Sequence, residues 1–238
     1  MKTEALLCPA ALRMEPAPNV SKDYAFVPTF LVVDNLRKHG YLVSGSNQQG
    51  KTPYGPHVVR MRHESMLDSR LAPEIVIKNA SNGYSKLEFM TGLYRMVCSN
   101  GLIVGTTGSS MELSHRKGLT MDAVFDGAKW IVSQAELAIE KSEAWSKIKM
   151  EHEARAHFTK LVGLMTHNNP NRYNPDVLLR PKYDEPMNLW TCFNLAQENI
   201  IQGGMVLNNN HVTRAITGAQ RNVITNRKLW NLAEEFAS

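Results

Sequence analysis

Three short stretches of this chain alternate apolar and polar residues with a period of two, and that alternation constrains the fold more than any other feature. In HVVRMRHE, residues 57–64, Val59 and Met61 fall on one side and Arg60 and Arg62 on the other. In EIVIKN, residues 74–79, Ile75 and Ile77 oppose Glu74, Val76 and Lys78, and in YSKLEFM, residues 84–90, Leu87 and Phe89 oppose Lys86 and Glu88. Successive side chains leave a strand on opposite sides, so this period marks strands with one greasy and one charged face. Strands are expected near residues 41–48, 57–64, 73–79 and 84–90, separated by hairpin-type clusters of Gly, Pro, Asn and Ser. The fold class that follows is α+β: an antiparallel β-meander with helices packed on one face, then a mostly helical C-terminal region.

The helices follow a different period. TFLVVDNLRKHG, residues 29–40, sets Phe30, Val33 and Leu36 on one stripe, with Thr29 as the expected N-cap and Gly40 as the left-handed stop. In GLYRMVCSNGLIVG, residues 92–105, Leu93, Met96 and Val97 have helical spacing, Asn100-Gly101 is a stop, and LIVGTT resumes as a buried strand. This places Cys98 at the end of a short helix, as a packed residue more readily than a nucleophile, because no base is near it in sequence. Arg95 in the same segment either bridges helix and sheet through a buried carboxylate or reaches a phosphate.

Residues 120–165 are helical, as one long helix or two stacked ones, with Val124, Ala128, Ile131, Ala135 and Ala138 along one face. An Asn- and Pro-rich loop, THNNPNRYNPDVLLRPKYDEP, leads to a helix at about 187–202, a Gly203-Gly204 break, a polar loop and a last helix from Val223. The organisation expected is an N-terminal arm over 1–23, draped or mobile, an α+β core over 24–118, and a helical region over 119–238 with a basic C-terminal segment.

Composition narrows the function. The 238 residues hold 43% hydrophobic side chains and no apolar run near the roughly 20 residues of a membrane span, so a soluble, cytoplasmic chain without a secretory signal is expected. Three scattered cysteines, none in a C-x-x-C pair, suggest neither a disulfide framework nor a zinc site. There is no G-x-x-x-x-G-K-[ST], and GTTGSS at 105–110 lacks the lysine and the spacing of a phosphate loop. His152 and His157 in HEARAH are five apart and do not share a helix face as two zinc ligands must. His57 and His63 share the Val59 face, and the plain reading of them, with His115, is edge or loop histidines. No cofactor is expected and no catalytic residues are assigned.

Lys and Arg number 27 against 22 Asp and Glu, a net charge of +5, which favours a polyanionic partner. The cations come with aromatics: Arg60 and Arg62 on one strand face, Arg172 with Tyr173, Arg180 and Lys182 with Tyr183, Arg214 and Arg221, then Arg227 and Lys228. Such sets suit single strands, where cations follow phosphates and rings stack on bases. A solvated face with a basic end explains the same residues equally well. Trp190 and Trp230 recur with apolar neighbours at helical spacing, as core or oligomer contacts do.

The stretches YAFVPTFLVVDNLRKHGY, HVVRMRH, PEIVIKNASNG, GLYRMVCSNGLIVG, NLWTCFNLAQENIIQGG and TRAITGAQRNVITNRKLWNLAEEF, in this order from about residue 23 onward, resemble the domain-of-unknown-function 932 family, the phage/plasmid-like proteins of prophages, plasmids and phages. The resemblance implies mobile-element biology rather than a reaction. Where the family pattern reads Asn-Ser-His-Asp-Gly, this chain has Asn79-Ala80-Ser81-Asn82-Gly83, so a His and an Asp suited to catalysis are missing and a non-enzymatic role is favoured. The order of elements is also similar in outline to single-strand annealing proteins of the Red-beta, RecT and Rad types, which form rings or filaments around a basic groove. Fold likeness alone is a weak warrant for function.

Together these features lead to an expectation of a nucleic-acid-binding protein that captures or anneals single-stranded DNA, as a homo-oligomer and without a membrane. Its expected contacts are Arg60, Arg62, Lys86, Arg95, Arg172, Lys182, Arg214 and Arg227, with Tyr173 and Tyr183 stacking on bases. The rival reading is a phage-encoded inhibitor that docks on a host defence or replication protein. A third, a metal-dependent nuclease, needs a carboxylate cluster that the sequence does not display.

Overall fold

The structure is a computed structural model that describes residues 6–66, 71–95, 100–103, 110–181, 185–207 and 209–238. The chain divides into two compact units, residues 1–136 with 218–220, and residues 137–217 with 221–238. The class is α+β, with an antiparallel sheet first and helices afterwards.

The first unit is built on the alternating strands. β1 (Tyr41–Gln48), β2 (His57–His63), β3 (Leu71–Asn79) and β4 (Leu87–Arg95) pair in sequence order, all antiparallel. β5 (Asn100–Ile103) and β6 (Ser110–Leu113) both pair with β4, one with each half of it. Val59 stands opposite Ile77 and Ile77 opposite Phe89, while Met61 stands opposite Ile75, so the residues sharing the apolar period meet on one face. Across that face lie α1 (Thr29–Arg37) and α2 (Met121–Ser133), which contribute Val32, Val33, Leu36, Val124, Ala128 and Ile131 to the same buried cluster. Gly40 closes the chain after α1 at φ +82°, a left-handed conformation that only glycine adopts without strain.

Several expectations need correction here. Leu93 does not start a helix: β4 continues through it to Arg95, with Leu93 opposite Pro73 and Leu102. Partners on both sides supply this half of β4 with ladder bonds, which outweigh an i, i+3 pattern only three residues deep. Met96, Val97 and Cys98 lie outside the described residues. Nor is the second face of the sheet solvated throughout: Val76, Met90, Glu74 and Glu88 are buried there, whereas Glu112 is exposed.

Thr29 does not cap α1 either. Pro28 occupies the cap position, and the Thr29 hydroxyl donates to Nε2 of His57 at 2.8 Å while accepting from Nδ2 of Asn79 at 3.0 Å. His57 is therefore no edge residue: it is fully buried, and its Nδ1 donates to Gly55 O at 3.1 Å. His115 joins the same network and is also buried. Its two nitrogens face Ala25 O and Asn79 Oδ1, each at 2.9 Å, so both bonds form only in the doubly protonated ring, and burial works against that second proton. The arm is docked over residues 6–20: Cys8 N–H donates to Ser46 Oγ, Ala10 N–H to Gln48 Oε1, and Arg13 to the Tyr54 hydroxyl, while Leu7 and Ala11 enter the core.

The second unit gathers its helices around α6 (Leu189–Gln202), whose residues from Leu189 to Glu198 are all buried. α3 (Ala135–Ser146), α4 (His152–His167), the single turn α5 (Pro175–Leu178) and α7 (Ala219–Ala237) complete the helices. Trp145, Phe193 and Trp230 form the centre, with ring centroids 4.6 Å apart for Trp145 and Trp230 and 5.6 Å for Phe193 and Trp230. Residues 120–165 thus form three helices, not one or two. The break before α4 comes from a distant partner: Met150 N–H donates to Met187 O and Leu189 N–H to Ile148 O, both at 2.9 Å, so two remote segments clasp as a short antiparallel bridge. α7 begins at Ala219, four residues earlier than the apolar pattern implies, and so takes in Arg221. No described helix is long and apolar enough to cross a membrane.

Candidate nucleic-acid interface

The cations singled out by sequence fall into two groups. In the first unit, Arg60 and Arg62 leave β2 on the same face and converge on one carboxylate. Arg60 Nη1 donates to Glu74 Oε2 at 3.2 Å, Arg62 Nη2 to Glu74 Oε1 at 3.0 Å, and Ser44 Oγ to the same Oε1 at 2.8 Å. The register dictates this, since Arg62 stands directly opposite Glu74 in the ladder and Arg60 opposite Val76. Their charge is therefore committed within the fold, where the alternating pattern suggested two open cations. Lys86 pairs with Glu112 at 2.6 Å on an exposed part of the sheet. Arg95 is the last residue of β4, opposite Leu71 and Asn100.

In the second unit, the last turn of α4 and one face of α7 enclose a basic hollow of about 180 Å³. Arg221, Thr225 and Lys228 line it at i, i+4 and i+7 of α7, a spacing that stacks them on one side of the helix, and Thr166 and His167 line it from α4. Ile200 and Ile216 are among its apolar walls, and no carboxylate among the described residues lines it. Nδ1 of His167 lies 2.9 Å from Thr166 Oγ1 and 3.2 Å from the Tyr173 hydroxyl. Burial first, then the charges of Arg172 and Arg221, hold the His167 pKa below its ordinary value. Arg172 stands close enough to act on that ring, and its Nε is buried without a hydrogen-bond partner.

Such a hollow suits an oxyanion: Arg221 and Lys228 supply charge and N–H donors, and a neutral imidazole accepts a proton if a phosphate arrives. Sequence reasoning made Arg172 a strand contact; its charge acts on His167, although Arg172 does not itself line the hollow. It gave Tyr173 the wrong task, however, because the ring is buried and only its hydroxyl takes part in the network around His167. Arg214 is exposed on the loop before α7, and Arg227 sits next to Lys228 on α7, but neither lines the hollow. Lys182 and Tyr183 lie outside the described residues. His167 was missed as a site residue, and Arg221 and Lys228 were seen only as tail charges. The available signal was the i, i+4, i+7 spacing of Arg221, Thr225 and Lys228, which becomes visible once the last helix is started at Ala219.

Cys192 is fully buried on α6, and burial pushes its thiol pKa up to about 12, which keeps it protonated. Among the described residues no three His, Cys, Asp or Glu side chains converge as a metal cluster.

An antiparallel sheet covered by helices, followed by a helical unit, in a chain of net charge +5, defines a basic protein of the α+β class. Residues 18–230 match the family described as Domain of unknown function (DUF932), and the chain belongs to that family. It is similar to the UPF0380 protein YafZ of Escherichia coli (strain K12), 29% identical over 229 residues that cover 90% of this chain and 82% of that protein. The UPF0380 protein YfjQ of the same organism is 28% identical over the same coverage of both chains. No solved structure matches the chain.

Proposed function

We propose that this protein binds single-stranded nucleic acid, holding strand phosphates at the basic hollow of the helical unit. The observation that carries this reading is the convergence of Arg221 and Lys228 with His167, with Arg172 beside them and no lining carboxylate among the described residues. Cations elsewhere in the fold have a carboxylate partner, as Arg60 and Arg62 have in Glu74. The hollow offers none among the described residues that line it, and a phosphate would complete it.

Single strands suit the site better than duplex because a hollow of about 180 Å³ admits one phosphate at a time and calls for a backbone that can bend into it. Bound strands presented along neighbouring protomers would be available for pairing, which is the basis for proposing annealing and self-association as the biological use.

The test is fluorescence-anisotropy titration of a labelled oligo-dT strand and a matched duplex at two salt concentrations. Binding selective for the single strand, with log K falling by about 0.7 per phosphate neutralised, supports the reading. Absence of binding to either strand overturns it and favours an inhibitor that docks on a host protein.

A further inference from the structure

A second hollow in the helical unit encloses about 450 Å³, within the roughly 300–1,000 Å³ of small-molecule sites, and it is unlike the first in chemistry. Its apolar surface comes from Val177, Met205 and Val206. Gly203 and Gly204 form part of its wall, which therefore carries no side chain there, and both hold positive φ, +70° and +83°. Arg180 is its one cation, exposed and without a partner among the described residues. Asn199 lines it from α6, and Asn199 Nδ2 donates to Leu178 O at 2.8 Å. That bond fixes the amide and leaves Oδ1 as an acceptor.

We infer that this hollow takes one base of the bound strand, with the Arg180 guanidinium stacked on the base, Met205 and Val206 as apolar backing, and Asn199 Oδ1 accepting an N–H from its pairing edge. The inference rests on the proposed binding of single strands and adds the part of the ligand that the basic hollow is too small to hold. A planar guanidinium packs on the π-face of any base, and a single acceptor does not discriminate among bases that all offer an N–H donor. The slot is thus sequence-tolerant.

Position links the two hollows. Asn199 lines one and Ile200 the other, so the two hollows flank α6 on sides about 100° apart around its axis.

The experiment compares an oligo-dT strand with an abasic strand of equal length and equal phosphate count, titrated into the full chain at one salt concentration. Wild-type protein is expected to bind oligo-dT about tenfold more tightly than the abasic strand, in line with the stacking of one base. Arg180→Ala and Arg180→Lys should both erase that difference and leave Arg180→Lys with wild-type affinity for the abasic strand, because lysine keeps the charge and loses the plane. Equal weakening of both strands by Arg180→Ala, with full rescue by lysine, would make Arg180 a phosphate contact and overturn the slot. A dT preference that survives both variants would overturn it as well. Wild-type protein that binds neither strand removes the parent reading and the slot with it, whereas phosphate binding without a dT preference removes the slot alone.

Discussion

The guanidinium carbon of Arg62 lies 3.4 Å from the centre of the Tyr94 ring while its Nη2 donates to Glu74 Oε1 at 3.0 Å, so one buried cation is held by a ring and a carboxylate together. Arg60 binds the other oxygen of the same carboxylate. Glu74 is therefore the counter-charge of two arginines at once. Glu74→Ala should cost about 3–5 kcal/mol, because it leaves little-exposed guanidinium groups without their partner. The expected readout is a thermal midpoint lowered by on the order of 10 °C, with Arg60→Ala alone costing less because that side chain is the more exposed of the two.

Acid should loosen the first unit through His57. Burial lowers its pKa below the ordinary value, and the fold uses the neutral ring, with Nδ1 donating to Gly55 and Nε2 accepting from Thr29. A depressed histidine pKa means that the unfolded chain takes up the proton first. The contribution is complete above the unfolded pKa of about 6.5 and is lost as the pH falls from there toward the folded value. Burial lowers the His115 pKa as well, against the opposing bond to Ala25 O, so it adds to the same trend and the measurement is a difference: urea midpoints between pH 7.5 and 5 for wild type and for His57→Gln. The variant should be less stable at pH 7.5 and should lose less on acidification.

Gly203 is a position where a side chain meets backbone at once. A Cβ there would stand 2.5 Å from the backbone carbon of Arg214 and 2.6 Å from Ala215 N, at a backbone φ of +70°. Gly203→Ala should destabilise the helical unit by more than about 1 kcal/mol, while Gly204→Ala, with open space around its Cβ, carries only the conformational penalty. Chemical denaturation of the two variants side by side separates the contact from the dihedral.

The basic hollow makes its own prediction about salt. Arg221→Ala with Lys228→Ala should weaken binding of a single strand at low salt and flatten the dependence of log K on log salt by about 0.7 for each phosphate that the double variant leaves un-neutralised. Both side chains are exposed on α7, so the thermal midpoint should stay near that of wild type.

Much of the first unit was legible because a period of two leaves little choice. Val59, Met61, Ile75, Ile77, Leu87 and Phe89 occupy the core face as their alternation requires. What sequence could not supply was long-range pairing. The ladder that keeps Leu93 in a strand depends on β3 and β5, and the break before α4 depends on residues 187–189, far along the chain. The site failed for a related reason. Charge was read residue by residue, yet Arg60 and Arg62 meet Glu74 only through register, while Arg221 and Lys228 meet His167 only after two helices have packed. Tyr173 looked like a stacking platform because its burial is a property of the folded loop and leaves no mark in local spacing.

The pairing of residues 148–150 with 187–189 ties the base of a long excursion that carries α4, Tyr173 and α5. A protease that cuts the exposed Asn168–Asn169 segment within it would sever the chain without releasing either piece, because the clasp and the packed rings of Trp145 and Phe193 still join what the cut divides. Nicked protein would run as two fragments in denaturant and as one particle in buffer. The hollow beside Arg172, built from both sides of such a cut, would report whether the reassembled halves keep their register.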